Sequence, residues 1–223
     1  MSTLTVQRKV LLAGATGLVG GLILQALLAD PAVSEVHALS RRPLSVHHPK
    51  LKVHIVDFIQ LPALPQADEV YLALGTTSKI AGSQAAFRAV DLEANLEVAK
   101  AAFAAGVRRV GLVSAVGANA KSSMFYSRVK GELEDALKAL RLTALVIAQP
   151  SLLLDYRNGL QQPTRIGELI MIPIGRLIAP LLPGIYRPVR AHAVAESLVK
   201  TLPTAKGVVV LASNELARMA KEH

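Results

Sequence analysis

From Val10 to Ala29 the chain carries no charged side chain, a run long enough to reach across a bilayer. Gly14, Gly17, Gly20 and Gly21, with Thr16 among them, point elsewhere. Glycine weakens the middle of a helix, and a strand that turns sharply into a helix needs residues without a Cβ at the bend. The stretch therefore predicts a buried strand over 9–13, a turn over 14–16, and a helix over 17–28 whose apolar face packs on a sheet. The alternation continues downstream. Short apolar runs at 35–39, 51–56 and 69–74 read as strands, and an Ala-rich helix over 83–105 is stopped by Gly106. A strand over 109–114, a helix over 123–140, a strand over 143–148 and a helix over 191–201 follow. Strands and helices taking turns imply right-handed crossovers, hence an α/β fold: a doubly wound parallel sheet flanked by helices. Residues 1–223 form one domain in this reading, with ligands at the carboxyl ends of the strands.

Composition agrees. Of 223 residues, 52% are hydrophobic and 18% charged, which suits parallel strands covered on both faces. Cysteine is absent, which removes disulfides, thiol nucleophiles and the usual structural zinc sites; a cytoplasmic setting is expected. The net charge of +9 raises the question of nucleic acid, but the cations are scattered and aromatics are only 4%. No nucleic-acid partner and no integral membrane segment are expected. Oligomeric state stays open.

The first turn carries the first candidate chemistry. "GATGLVG" fits a Gly-x-x-Gly-x-x-Gly pattern, and free backbone N–H groups at a helix start, with the positive end of its dipole, suit a pyrophosphate. Gly14, Ala15, Thr16, Gly17, Leu18 and Val19 are its candidate residues. At the second strand end Ser40, Arg41 and Arg42 stand where an NAD site has an acid for the ribose hydroxyl, so they predict a 2′-phosphate and NADP (NADPH) as cofactor. Asp57 and Phe58 follow the third strand, where an adenine is bonded and flanked. Leu74, Gly75 and Thr76 follow the fourth, where a small turn lets the cofactor backbone pass. His47 and His48 have no Cys or carboxylate beside them, so they read as a solvated loop and no metal is expected. Ser114 ends the fifth strand. Twelve residues on, "YSRVK" sets Tyr126 and Lys130 one helical turn apart, where an ammonium favours phenolate and the phenol exchanges a proton with a substrate oxygen held by Ser114.

Taken in order, "GATGLVG", Asp57, "ALGTT", "LVSAVGA", "YSRVK" and "QPSLLL" make residues 9–153 resemble the short-chain dehydrogenases/reductases. The likeness is closest to the atypical branch, near the Tat-interacting proteins and small bacterial NAD(P)-binding proteins. That resemblance implies a Rossmann fold with Ser114, Tyr126 and Lys130 as catalytic triad, Lys130 also holding the nicotinamide ribose and Pro150 lying beside the nicotinamide. Asn95 stands in the region of the family's structural asparagine, and Gln149 departs from the Arg that many members carry before the Pro. The expected function is NADPH-dependent reduction of a small carbonyl substrate. The alternatives are a redox-sensing module without turnover and a small epimerase- or dehydratase-like enzyme. Residues 151–206 are expected to supply the substrate side or a lid. Within them the apolar stretch 169–186, broken by prolines, reads first as a pocket wall, with a lid, a partner surface or a peripheral membrane patch as alternatives, and Arg187 and Arg190 read either as a grip for an anionic group or as solvated arginines ahead of the next helix.

Overall fold

A computed structural model describes residues 7–154 and 188–219. The stretch 169–186 and Arg187 lie outside them. Chain order runs β1 (Arg8–Ala13), α1 (Leu18–Ala29), β2 (Val33–Ser40), β3 (Leu51–Ile55) and β4 (Glu69–Leu72). Next come α2 (Ser78–Ala81), α3 (Gln84–Arg88), a π-helical turn (Ala89–Ala94), α4 (Asn95–Ala104) and β5 (Arg109–Val113). The described chain closes with α5 (Phe125–Lys138), β6 (Ala144–Gln149), α6 (Ala191–Thr201), β7 (Gly207–Ala212) and α7 (Ser213–Met219). The seven strands form one sheet in the order β3-β2-β1-β4-β5-β6-β7, with every pair parallel. The expected doubly wound Rossmann sheet is therefore present, and the strand order reverses between β1 and β4.

Alternation along β1 divides the core. Val10 and Leu12 join Ile23 and Leu27 of α1 and Leu198 of α6 on one face, while Leu11 and Ala13 join Val98 of α4 and Leu133 of α5 on the other. All of these side chains are fully buried. At the amino edge, the first residues of three strands make a polar cluster. Arg8 spans both oxygens of Glu69 at 2.9 and 2.7 Å and also pairs with Asp30. Tyr71 donates to Glu69 at 3.1 Å, and Arg109 donates to the carbonyls of Leu202 and Ala205. Burial pushes the Glu69 carboxyl up against the pull of Arg8, and pushes the Tyr71 hydroxyl up as well.

Three local differences from the sequence reading have physical causes. The expected helix over 83–105 is two α-helical pieces joined by the π turn, which opens where Asp91 and Asn95 turn polar groups inward. Strand β5 stops at Val113, one residue before Ser114. The sequence reading had no β7: its outer positions Val208 and Val210 are 53% and 42% exposed, so the strand lacks the burial pattern of the others.

Candidate functional site

The first turn is built by two backbone contacts. Gly14 has φ of +99°, and a Cβ there would lie 2.4 Å from the Ala73 carbonyl at the end of β4. A Cβ on Gly20 would lie 2.0 Å from the Gly14 oxygen, so α1 can press onto the turn only with glycine at that position. Gly17 is the N-cap and offers no side-chain bond, and no acid stands in the first turn of α1. Its leading N–H groups and positive dipole end thus face outward without a side-chain anion. Two clefts open around them at the carboxyl edge, of about 320 and 520 Å³, sharing Gly17 and residues 73–76 as a common wall.

Gly14 to Gly17, Ser40, Arg41, Arg42 and Phe58 line the smaller cleft, together with Leu74, Gly75 and Thr76. The Ser40 hydroxyl accepts from the Arg42 N–H at 3.3 Å and fixes the bend after β2. Arg41 and Arg42 are exposed, and neither guanidinium bonds a described residue. Phe58 is buried beside them. Asp57 is placed differently from its expected role: it is exposed, outside the lining of this cleft, and its Oδ1 accepts the Ile59 N–H at 2.9 Å. His47 and His48 bond only the backbone of their own loop, and no cluster of metal-ligating side chains occurs among the described residues.

Leu18, Val19, Ser114, Tyr126, Lys130 and Pro150 come together in the larger cleft. On α5 the spacing i, i+4, i+8 aligns Tyr126, Lys130 and Glu134 in one stripe. The Tyr126 ring rests on Phe87 at 5.8 Å between centroids; 41% exposed, its hydroxyl has no partner among the described residues. Lys130 is buried and holds Asp91 Oδ1 at 2.7 Å, while Asp91 Oδ2 accepts the Thr76 N–H at 2.8 Å. Asn95 donates to the carbonyls of Leu74, Val90 and Asp91, tying the loop after β4 to the π turn, and its Oδ1 is buried without a partner. Ser114 donates to Glu134 Oε1 at 2.6 Å. Gln149, at the end of β6, donates to both oxygens of the same carboxylate at 2.9 and 3.2 Å.

Ser151, Leu152 and Leu153 complete the wall, and Leu153 makes a parallel bridge with Val189. Arg190 is exposed just before α6. Asp91 and Glu134 are the residues the sequence reading did not single out. Asp91 stands four after Phe87 and Glu134 four after Lys130, but that spacing alone does not separate a buried acid from a solvated one.

A parallel sheet with a glycine turn under an uncapped helix start, at the point where strand order reverses, defines a Rossmann-type dinucleotide-binding protein. A family model described as NAD(P)H-binding matches residues 14–161, and the chain belongs to that family. Its curated relatives include the mitochondrial protein FMP52-1 of Scheffersomyces stipitis, 36% identical over 199 residues, covering 84% of this chain and 88% of that protein. The mitochondrial protein FMP52 of Meyerozyma guilliermondii is 30% identical over 226 residues and covers 96% of each. Among solved structures, MoeE5 in complex with UDP-glucose and NAD superposes with a TM-score of 0.66 at 18% identity, covering 96% of this chain and 81% of that one. A short chain dehydrogenase family protein from Francisella tularensis subsp. tularensis SCHU S4 gives 0.68 at 13% identity, over 95% and 99%. At such identities the likeness is one of fold.

These relatives correct two expectations. They are mitochondrial proteins, which overturns the cytoplasmic placement; lack of cysteine removes thiol chemistry in any compartment and so carries no address. They also bear the name FMP52 rather than that of the Tat-interacting proteins. No helix among the described residues is long and apolar enough to cross a membrane.

Proposed function

We propose that this protein is an NAD(P)H-dependent oxidoreductase, preferring the phosphorylated cofactor, that interconverts a small carbonyl compound and its alcohol. The observation that carries the reading is the convergence of Ser114, Tyr126 and Lys130 on the cleft walled by the start of α1. The residues present fit a dinucleotide: backbone N–H groups without a competing side-chain anion, a glycine-lined floor, and two unpaired guanidinium groups at the far end. Residues 14–19 would hold the pyrophosphate, Arg41 and Arg42 the 2′-phosphate, and Phe58 one face of the adenine. Leu74, Gly75 and Thr76 would leave room for the cofactor backbone, Lys130 would meet the nicotinamide ribose, and Pro150 would lie by the nicotinamide. When bound, that group carries the electron pair of the reaction. Tyr126 exchanges the proton with the substrate oxygen, and its free hydroxyl and exposure leave it open to both substrate and solvent. Ser114 orients that oxygen. Lys130, one helical turn along α5 from Tyr126 and fixed by Asp91, would meet the ribose from the same helix face.

The test is a screen of aldehydes, ketones and quinones with NADPH, and of the matching alcohols with NADP⁺, followed by Tyr126→Phe. The expected result is turnover that falls about 100-fold or more in the variant, the usual scale for a lost general acid, with the Kd for NADPH unchanged. Tight NADPH binding with no turnover on any panel member would sink the reading. So would a variant as active as the wild type.

A further inference from the structure

Asp91 and Lys130 are the only charged side chains in the lining of the larger cleft among the described residues, and they meet at 2.7 Å, 1% and 5% exposed. Both groups that reach Asp91 donate, the Lys130 ammonium to Oδ1 and the Thr76 N–H to Oδ2 at 2.8 Å, so the acid they surround is the ionised carboxylate. The next charge inward, Glu134, lies behind Ser114 and Gln149 and has the Lys138 ammonium at 3.8 Å. Anchoring the loop after β4 does not require a carboxylate, because Asn95 already donates to the Leu74 carbonyl at 3.0 Å. What Asp91 adds is a negative charge set against the cation of the cleft. The two redox forms of a nicotinamide nucleotide differ in charge at one place: the ring is a cation when oxidised and neutral when reduced. In a cleft shielded from water, a fixed charge therefore acts on one form and leaves the other nearly untouched. Lys130 alone would repel the oxidised ring, and Asp91 alone would attract it.

We propose that Asp91 sets the balance between NADP⁺ and NADPH binding: by cancelling the Lys130 cation it lets the cleft take both forms with similar affinity and keeps the two-electron potential of the bound couple near its value in solution. The proposal rests on the oxidoreductase reading above, which puts the nicotinamide end of the nucleotide in the larger cleft. Asp91 acts through Lys130 and is a positioning residue. The π turn that carries it and the helix that carries Lys130 come from different parts of the chain, and the cleft is balanced only where the two are brought together. A site biased toward one form of the nucleotide favours one direction of reaction. Free of that bias, the same cleft serves reduction and oxidation alike.

Calorimetry with NADP⁺ and with NADPH at fixed salt reads the balance and needs no substrate. In the wild type the two Kd values should lie within about fivefold of each other. Asp91→Asn keeps the side-chain shape but leaves the Lys130 cation uncancelled, so Kd for NADP⁺ should rise about tenfold more than Kd for NADPH, which lifts the potential of the bound couple by about 30 mV. Lys130→Met leaves the Asp91 charge uncancelled and should move the ratio the opposite way, toward NADP⁺, whatever both forms lose with the ribose contact. The double variant, neutral at both positions, should return to the wild-type ratio. A purely structural role predicts equal losses for the two forms in every variant, and that result overturns the proposal. So does a wild-type gap wider than fivefold, or an equal shift in Glu97→Gln, which removes an exposed charge on α4 and changes net charge alone. If neither single variant folds, the two wild-type Kd values still decide. A wild type that binds neither nucleotide sinks the cofactor reading itself, whereas binding of both with equal losses sinks this proposal alone.

Discussion

In the proposed function Arg41 and Arg42 set cofactor choice, and both stand unpaired in the lining of the smaller cleft. Replacing both with Ala should weaken NADPH by about 1.5–3 kcal/mol per lost charged contact and leave NADH nearly unchanged, read by calorimetry at fixed salt. Equal losses for both cofactors would remove them from the 2′-phosphate site. A second residue contributes to the acid limb of stability. His37 of β2 is buried, 2.9 Å from the ring of His54 and 3.1 Å from Glu35. Burial first, and then the neighbouring His54, hold His37 below its ordinary value of 6.5. On unfolding the imidazole regains that ordinary value, so just below pH 6.5 the unfolded chain binds the proton more readily. The contribution is whole above about pH 6.5 and is lost as pH falls toward the folded-state value. Urea unfolding at pH 7.5 and 5.0 should show the drop, and His37→Leu should flatten this part of the profile. A slope the same in both proteins would assign the acid limb to other groups.

At the scale of elements, the turn between β1 and α1 was legible because steric demand writes itself in glycine. Gly14 and Gly20 are required by contacts that no side chain can satisfy, and few other residues could encode them. The inner strands were legible for a related reason: burial on both faces favours apolar residues, so 69–74 and 143–148 stand out despite the paired Glu69 at the start of the first. What escaped were features that depend on a partner. A buried acid in a helix, such as Asp91 or Glu134, has the same letters as a solvated one, and only the cation or hydroxyl brought to it by another element separates them. Asp57 lies outside the lining of the smaller cleft, with its Oδ1 accepting an N–H two residues on, a local bond that the letters alone do not announce. The prediction belonging here concerns packing. Gly20→Ala must push α1 off the turn, costing about 1–3 kcal/mol and abolishing NADPH binding, while Val208→Ala, on the exposed face of the edge strand β7, leaves binding intact. Calorimetry and thermal unfolding on the two variants separate the effects. Retained NADPH affinity in Gly20→Ala would mean that the turn does not hold the pyrophosphate.

Across the whole molecule the sheet has two unlike ends. Arg8, Glu69, Tyr71 and Arg109 lock the amino edge, and the clefts lie at the carboxyl edge, one β1 length away, or about 20 Å for six residues. Arg8→Met strands the Glu69 carboxylate without its cation and should cost about 3 kcal/mol in urea unfolding, with no change in NADPH affinity. A parallel fall in affinity would show that the two ends are coupled. Independence has a consequence for how such a chain can change over generations. Energies of distant sites add, so a margin gained at the amino edge is available to mutations at the cleft that alter what is bound but weaken the fold. The Arg8–Glu69 cluster is thus a reserve of tolerance, and descendants that keep it are free to explore new substrates at the opposite rim.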